Sequence, residues 1–352
     1  MMSDEFLANV KGFSRTFVIH SNNNPYIAAA AMGMMAARSQ ETGPFFRVSD
    51  CFIPNVDNFA IEENNIDSSP SQIDVDFKND WVTYLRSVAL PACDLKYEDS
   101  SSPEQNTIRY LNAYGRIPAI KPRSIHESRE LLIPPRYQSD YGRLVALIQA
   151  GGDLKPYLSR DILKKKRSDK NDGLLNAWGI QHLHFRPAGT DQLLFCVIAE
   201  SDVFMIQTLP HNKDHLWVDT QLFQILHDNW PNLIAYGKHS GLRAEDFPAA
   251  KRSSLRGYNA NFPITVSDGT VYLPPTGGTV ASGDSNEDWV NCVKIFSELD
   301  YWQSVITREA LAIRTALNMP ASKKLVVHMA YDYRVCCFYE PTRAIRLGGF
   351  AS

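Results

Sequence analysis

The residues of this chain best placed to do chemistry are His182-Leu183-His184. In a strand, side chains two apart share a face. Both imidazoles then stand on one face beside Ile180, while Leu183 and Phe185 point the other way, and the pattern predicts an exposed pair. Six of the nine histidines fall between His182 and His239, with His211 and His215 in the same stretch. Imidazole titrates near neutrality, so a group of them suits acid–base work at ordinary pH.

Two chemistries use such a set. Metal-free RNA cleavage needs a base for the 2′-hydroxyl, an acid for the leaving 5′-oxygen and a cation for the pentavalent phosphate. His182 or His184 fits the base, His211 the acid and Arg186 the cation. A zinc site could instead draw on His182, His184 and His211 or His215, with Asp202, Asp214 and Asp219 nearby to orient the ligands. The chain holds no HExxH, HxxEH or HxHxDH sequence, so the first chemistry is expected and no metal or other cofactor is assigned, with zinc as the alternative. Lys164, Lys165, Lys166 and Arg167 form the densest positive patch, and with His215 they are candidates for holding an RNA backbone. A solvated helix end would explain the same cations.

Other features carry less. His227 lies on a helical stripe between Phe223 and Trp230 and is expected to be a core ring bonded to a backbone carbonyl. His20 and His328 sit in single strands without partners and are taken as structural, and His239 as an exposed loop residue. The glycine-rich run from Thr276 to Gly283 lacks the GKS/GKT of a phosphate loop and is expected to be a flexible loop before a helix. No GxSxG supports acyl transfer.

The elements that must position the histidines read as three apolar runs and a helix. Residues 180–186, 193–198 and 203–209 are joined by short turns and so pair as an antiparallel meander. Pro210 ends the last strand and releases His211. Helices are predicted at 140–149, 157–166 and 220–230. Further out, residues 15–53 predict strand–helix–strand, 77–88 a helix and 97–105 a loop. Pro118, Pro122, Pro134 and Pro135 exclude one long regular element across 117–135. A hairpin turning at Asp268-Gly269, helices at 286–299 and 301–318, and strands at 324–331 and 334–339 complete the chain.

The 352 residues exceed one ordinary hydrophobic core. The reading is an α+β protein of three modules: a mixed α/β module over 1–125, a histidine-rich central module over 126–248 with a small antiparallel meander and flanking helices, and an α+β module over 249–352. A net charge of −3 gives no global argument for nucleic-acid binding, so any such surface is local. The six cysteines form no CxxC pair, which fits a reducing cytoplasm. No secretory signal is visible at the N-terminus, and the apolar helix candidate at 26–37 is too short to span a bilayer, so no membrane role is expected.

Residues 140–230 resemble the RelE/ParE-like ribonuclease toxin fold. The stretch LLFCVIAESDVFMIQTLPH follows that family's order of apolar strand, acidic turn, second apolar strand and terminal histidine. The resemblance implies a catalytic or RNA-contacting role for His211. The family's usual arginine on the middle strand is replaced here by Leu193 and Leu194, and HLH is not part of its signature. The expected function is a metal-independent ribonuclease, a toxin or phage-defence effector, with RNA as substrate and an antitoxin or regulator as protein partner. The alternatives are a zinc-dependent hydrolase using the same histidines, and a non-catalytic interaction or immunity-type protein.

Overall fold

The computed structural model describes residues 73–159, 172–187, 189–242, 244–245, 247–274, 277–320, 322–332, 335–340 and 345–351. The strand–helix–strand expected at 15–53 and the cations Lys164, Lys165, Lys166 and Arg167 lie outside these residues. The fold is α+β. Numbered along the chain, its strands are β1 (Ile73–Val75), β2 (Ser124–Glu127), β3 (Gln181–His184), β4 (Gln192–Ile198), β5 (Asp202–Pro210), β6 (Lys238–His239), β7 (Ile264–Thr265), β8 (Val271–Tyr272), β9 (Leu325–Asp332), β10 (Val335–Glu340) and β11 (Ile345–Ala351). Contacts divide the chain into two compact units, Met1–Ser87 with Lys294–Ser352, and Val88–Val293.

In the first unit β1 pairs parallel with β9, and β9, β10 and β11 follow antiparallel. The helix Phe77–Tyr84 starts at Asp76, whose side chain accepts the Asn79 N–H. It buries Phe77 and Trp81, and its Asp80 accepts the Met329 N–H at 2.7 Å. The other Asp80 oxygen lies 3.0 Å from His328 Nδ1, so this histidine, expected to stand alone, ties helix to strand.

The second unit holds the meander β3-β4-β5, with β2 added parallel to β5. One sheet face packs Leu183, Phe185, Leu194, Cys196, Val203 and Met205 against the helix Gln138–Gln149 through Tyr141, Leu144 and Ile148. The other face packs Leu193, Phe195, Ile206 and Leu209 against the helices Gly173–Trp178 and Gln221–Asn229. Both faces are buried, which is why these strands read as nearly continuous apolar runs.

A bulge interrupts β5. Phe195 pairs with Gln207, but the next residue, Cys196, pairs with Met205, leaving Ile206 as an extra residue. Val203 and Met205 face the first core, whereas Leu209 faces the second. One extra residue reverses the alternation and explains the change.

Three differences from the sequence reading have local causes. Residues 103–116 form a helix, Pro103–Arg116, opened by a capping box in which Ser102 and Gln105 satisfy each other's backbone N–H groups. The helix expected from residue 157 does not begin there; Lys155–Tyr157 is a single tight turn. The two helices expected at 286–318 are Asn286–Arg308, which runs through the predicted break at residue 300, and Ala310–Ala316. No helix among the described residues is long and apolar enough to cross a membrane.

The glycine-rich loop is clamped rather than open. Asn261 accepts the Thr279 N–H at 2.9 Å and donates to the carbonyls of Gly277 and Thr279. A Cβ on Gly278 would lie 2.1 Å from Asn261 Oδ1, and its φ is +75°. Gly179 also has positive φ, +67°, where it ends the Gly173–Trp178 helix, but nothing lies within 4 Å of a Cβ there. Gly179→Ala should therefore cost about 1 kcal/mol of backbone strain. Gly278→Ala should cost clearly more, because strain and overlap add. Urea denaturation of the two variants checks this order; equal losses would mean the Asn261 clamp gives way freely.

Candidate functional site

His182 and His184 alternate with Leu183 and Phe185, so they share the sheet face of Leu193 and Phe195, as the spacing predicts. Their expected exposure is not observed. His182 is 8% exposed and His184 6%. The Gly173–Trp178 helix and the turn Leu216–Val218 belong to the core on this face and cover it. The bulge decides what joins them. With Leu209 on this face, His211 two residues on is directed to the same side. Its ring lies 6.3 Å from that of His184, at 17°. The rings of His182 and His184 are 6.4 Å apart. Two imidazoles from β3 and one from the residue just past β5 thus meet beside Trp217, whose ring is 5.0 Å from His182 and 6.3 Å from His211.

The three rings differ in surroundings. His184 Nδ1 accepts the Thr190 N–H at 2.9 Å, which places the ring's proton on Nε2. Thr190 is itself fixed, donating its hydroxyl to the Gln192 carbonyl at 2.5 Å. His182 has its pKa lowered by burial, with His211 adding to the shift and the Asp172 carboxylate opposing it. Its Nδ1 has no hydrogen-bond partner and lies 3.8 Å from Asp172 Oδ2, beyond hydrogen-bond reach. The other Asp172 oxygen caps the Gly173–Trp178 helix through the N–H groups of Leu174 and Leu175. His211 is exposed, and its backbone N–H is held by the Asp191 carbonyl at 2.8 Å.

Arg186 does not join the cluster. It donates through Nε and Nη2 to Asp140 Oδ2 at 2.8 and 2.7 Å, and its guanidinium lies over the Tyr137 ring. Both partners belong to the opposite side of the sheet, because the chain turns outward after Phe185. The oxyanion role expected for Arg186 is thereby corrected to a structural ion pair. Arg256 is the cation that shares the cluster's carboxylate: Asp172 opposes the effect of burial on its guanidinium, which donates to the Gly173 carbonyl at 2.6 Å. His215 is exposed, has its Nδ1 2.8 Å from Ser253 Oγ, and makes no ring contact with the three histidines.

Asp172, Thr190, Trp217 and Arg256 were not singled out by the sequence reading. Asp172 carries a signal, a carboxylate opening an apolar helix just before the histidine strand; the other three are joined only by the fold. Elsewhere His227 is bonded not to a backbone carbonyl but to side chains, with Nδ1 2.8 Å from the Tyr272 hydroxyl and Nε2 3.3 Å from Asp268. Cys196 is no nucleophile, since burial pushes its thiol up to about 12. Among the described residues no group of three His, Cys, Asp or Glu side chains is arranged to hold a metal ion.

His184→Ala should cost about 1–3 kcal/mol in denaturant unfolding, because the Thr190 N–H loses its acceptor. Burial lowers the His182 pKa below 6.5 in the folded state, so protons favour the unfolded chain. Stability should fall as pH drops through 6.5 toward the folded-state value, and His182→Asn should flatten that slope. An unchanged slope in the variant would show that other groups set it. No protein-family model matches the chain, no curated protein matches it, and no solved structure matches it.

Proposed function

We propose that the protein is a metal-independent ribonuclease, a toxin or phage-defence effector acting on RNA in the cytoplasm and held in check by a protein partner. The observation that carries this reading is the meeting of three imidazoles, two of them buried and one exposed. His182, kept neutral by burial, is the base that takes the 2′-hydroxyl proton on Nε2. Asp172, on the Nδ1 side, then faces the imidazolium that forms. His184, its Nδ1 held by the Thr190 N–H, lines the site between the other two rings. His211, in contact with solvent, delivers the proton to the departing 5′-oxygen. The products are a 2′,3′-cyclic phosphate and a free 5′-hydroxyl. Arg186 has no part in this assignment.

One observation favours a second reading. His182 and His184 are as buried as core residues, so both rings could serve packing alone in a non-catalytic interaction protein. Activity and stability separate the two.

On the catalytic reading, His182→Ala and His211→Ala each slow cleavage of total RNA by about a hundred- to ten-thousand-fold while the proteins stay folded by circular dichroism. The acidic limb of the rate profile should lie below pH 6.5, because burial keeps His182 unprotonated further into acid. Stoichiometric zinc in elemental analysis, lost in the His182/His184 double variant, would replace this mechanism with a metal-assisted one. No cleavage by the wild-type chain would leave the packing reading.

A further inference from the structure

Trp217 is buried on both sides in sequence and open in the middle. Leu216 and Val218 are 1% and 5% exposed, anchoring the turn in the core, while Trp217 itself is 39% exposed. Three rings touch it: His182 at 56°, Phe195 at 61° and His211 at 87°. All three meet it tilted or edge-on. They fix the indole's orientation, but no described ring lies flat against its π-face. A large aromatic side chain held rigid, half exposed and unstacked is what a planar ligand needs, since stacking gains area without ordering a floppy side chain. The site beside it is the histidine cluster, with the backbone of His211 held and its ring in solvent.

We propose that Trp217 is the platform on which an unpaired nucleobase stacks, making single-stranded RNA the substrate of this site. The proposal rests on the ribonuclease reading for its choice of ligand. Bases within a duplex are already stacked on their neighbours, so a side-chain platform selects unpaired segments, and it does so with little preference among the four bases. Trp217 is a substrate-binding residue here; the proton transfers belong to His182 and His211.

The test separates binding from cleavage. A fluorescent 2′-O-methyl RNA of about ten nucleotides lacks the nucleophile and cannot be cut, yet keeps its bases and phosphates. Its affinity is measured by anisotropy against the full chain, Trp217→Ala and Trp217→Phe, as single strand and as duplex, with folding checked by circular dichroism. The proposal expects the single strand to bind, Trp217→Ala to weaken it about ten-fold, the size of one lost base stack, Trp217→Phe to recover most of that, and the duplex to bind more weakly. Equal affinity in all three proteins overturns it, as does duplex bound as tightly as single strand, or no binding. If unmodified RNA is not cleaved while Trp217-dependent binding persists, the catalytic reading falls and the platform stands. Cleavage of single-stranded RNA at the same KM in wild type and Trp217→Ala is the reverse case.

Discussion

The arrangement of the histidine site depends on one extra residue. A strand offers alternate residues to opposite faces, and β5 begins with Val203 and Met205 on the face away from the histidines. An unbroken strand would carry Leu209 and His211 to that same face. The bulge at Ile206 inverts the alternation, so Leu209 enters the other core and His211 meets His184. The sheet's hydrogen bonds lose a little regularity there. In exchange, side chains from the two ends of the meander share one environment. Neither the pairing of β3 with β4 nor the apolar character of β5 would achieve this alone.

The same division of faces explains why the neighbouring arginine is elsewhere. Arg186 is two residues from His184, but the chain leaves the strand at Phe185, and a buried carboxylate, Asp140, lies on the far side. Asp140 is only 4% exposed, and Arg143 holds one of its oxygens while Arg186 donates twice to the other, so the contact has its own reason to exist. The turn that follows has a second task. Thr190 bonds the ring of His184 from its N–H and the Gln192 carbonyl from its hydroxyl, so the geometry of the turn sets the tautomer of a ring in the strand. The tautomer of the His184 ring is thus set by backbone conformation.

Much of the central fold was legible. The meander follows from three apolar runs separated by short turns, and the shared face of His182 and His184 from a period of two. The exposure of that face was not legible, because what covers it comes from 173–178 and 216–218, segments whose packing is a tertiary matter. The bulge left no mark either: Ile206 is an ordinary strand residue, and only the pairing with β4 shows it to be surplus. The helix Pro103–Arg116 was legible in principle, since Ser102-Pro103-Glu104-Gln105 is a capping-box sequence with proline at the first position, but its polar surface weakens the apolar periodicity. β2 was hidden in a proline-rich stretch. It is four residues long and pairs with a strand almost eighty positions away, so no local pattern announces it.

The parallel pairing of β1 with β9 has a consequence for the order in which this chain takes shape. Ile73 is matched with Leu325, a separation of 325 − 73 = 252 residues. During synthesis β1 therefore leaves the ribosome long before its partner exists. Val88–Val293, by contrast, is continuous, and all the strands of its two sheets lie within it. The closure entropy of so long a loop grows only slowly with its length once the intervening segment is compact or free. The delay is set by translation rather than by diffusion. The histidine-bearing unit can be complete while β1 and the Phe77–Tyr84 helix still lack β9, the strand that pairs with one and is bonded by Asp80 of the other.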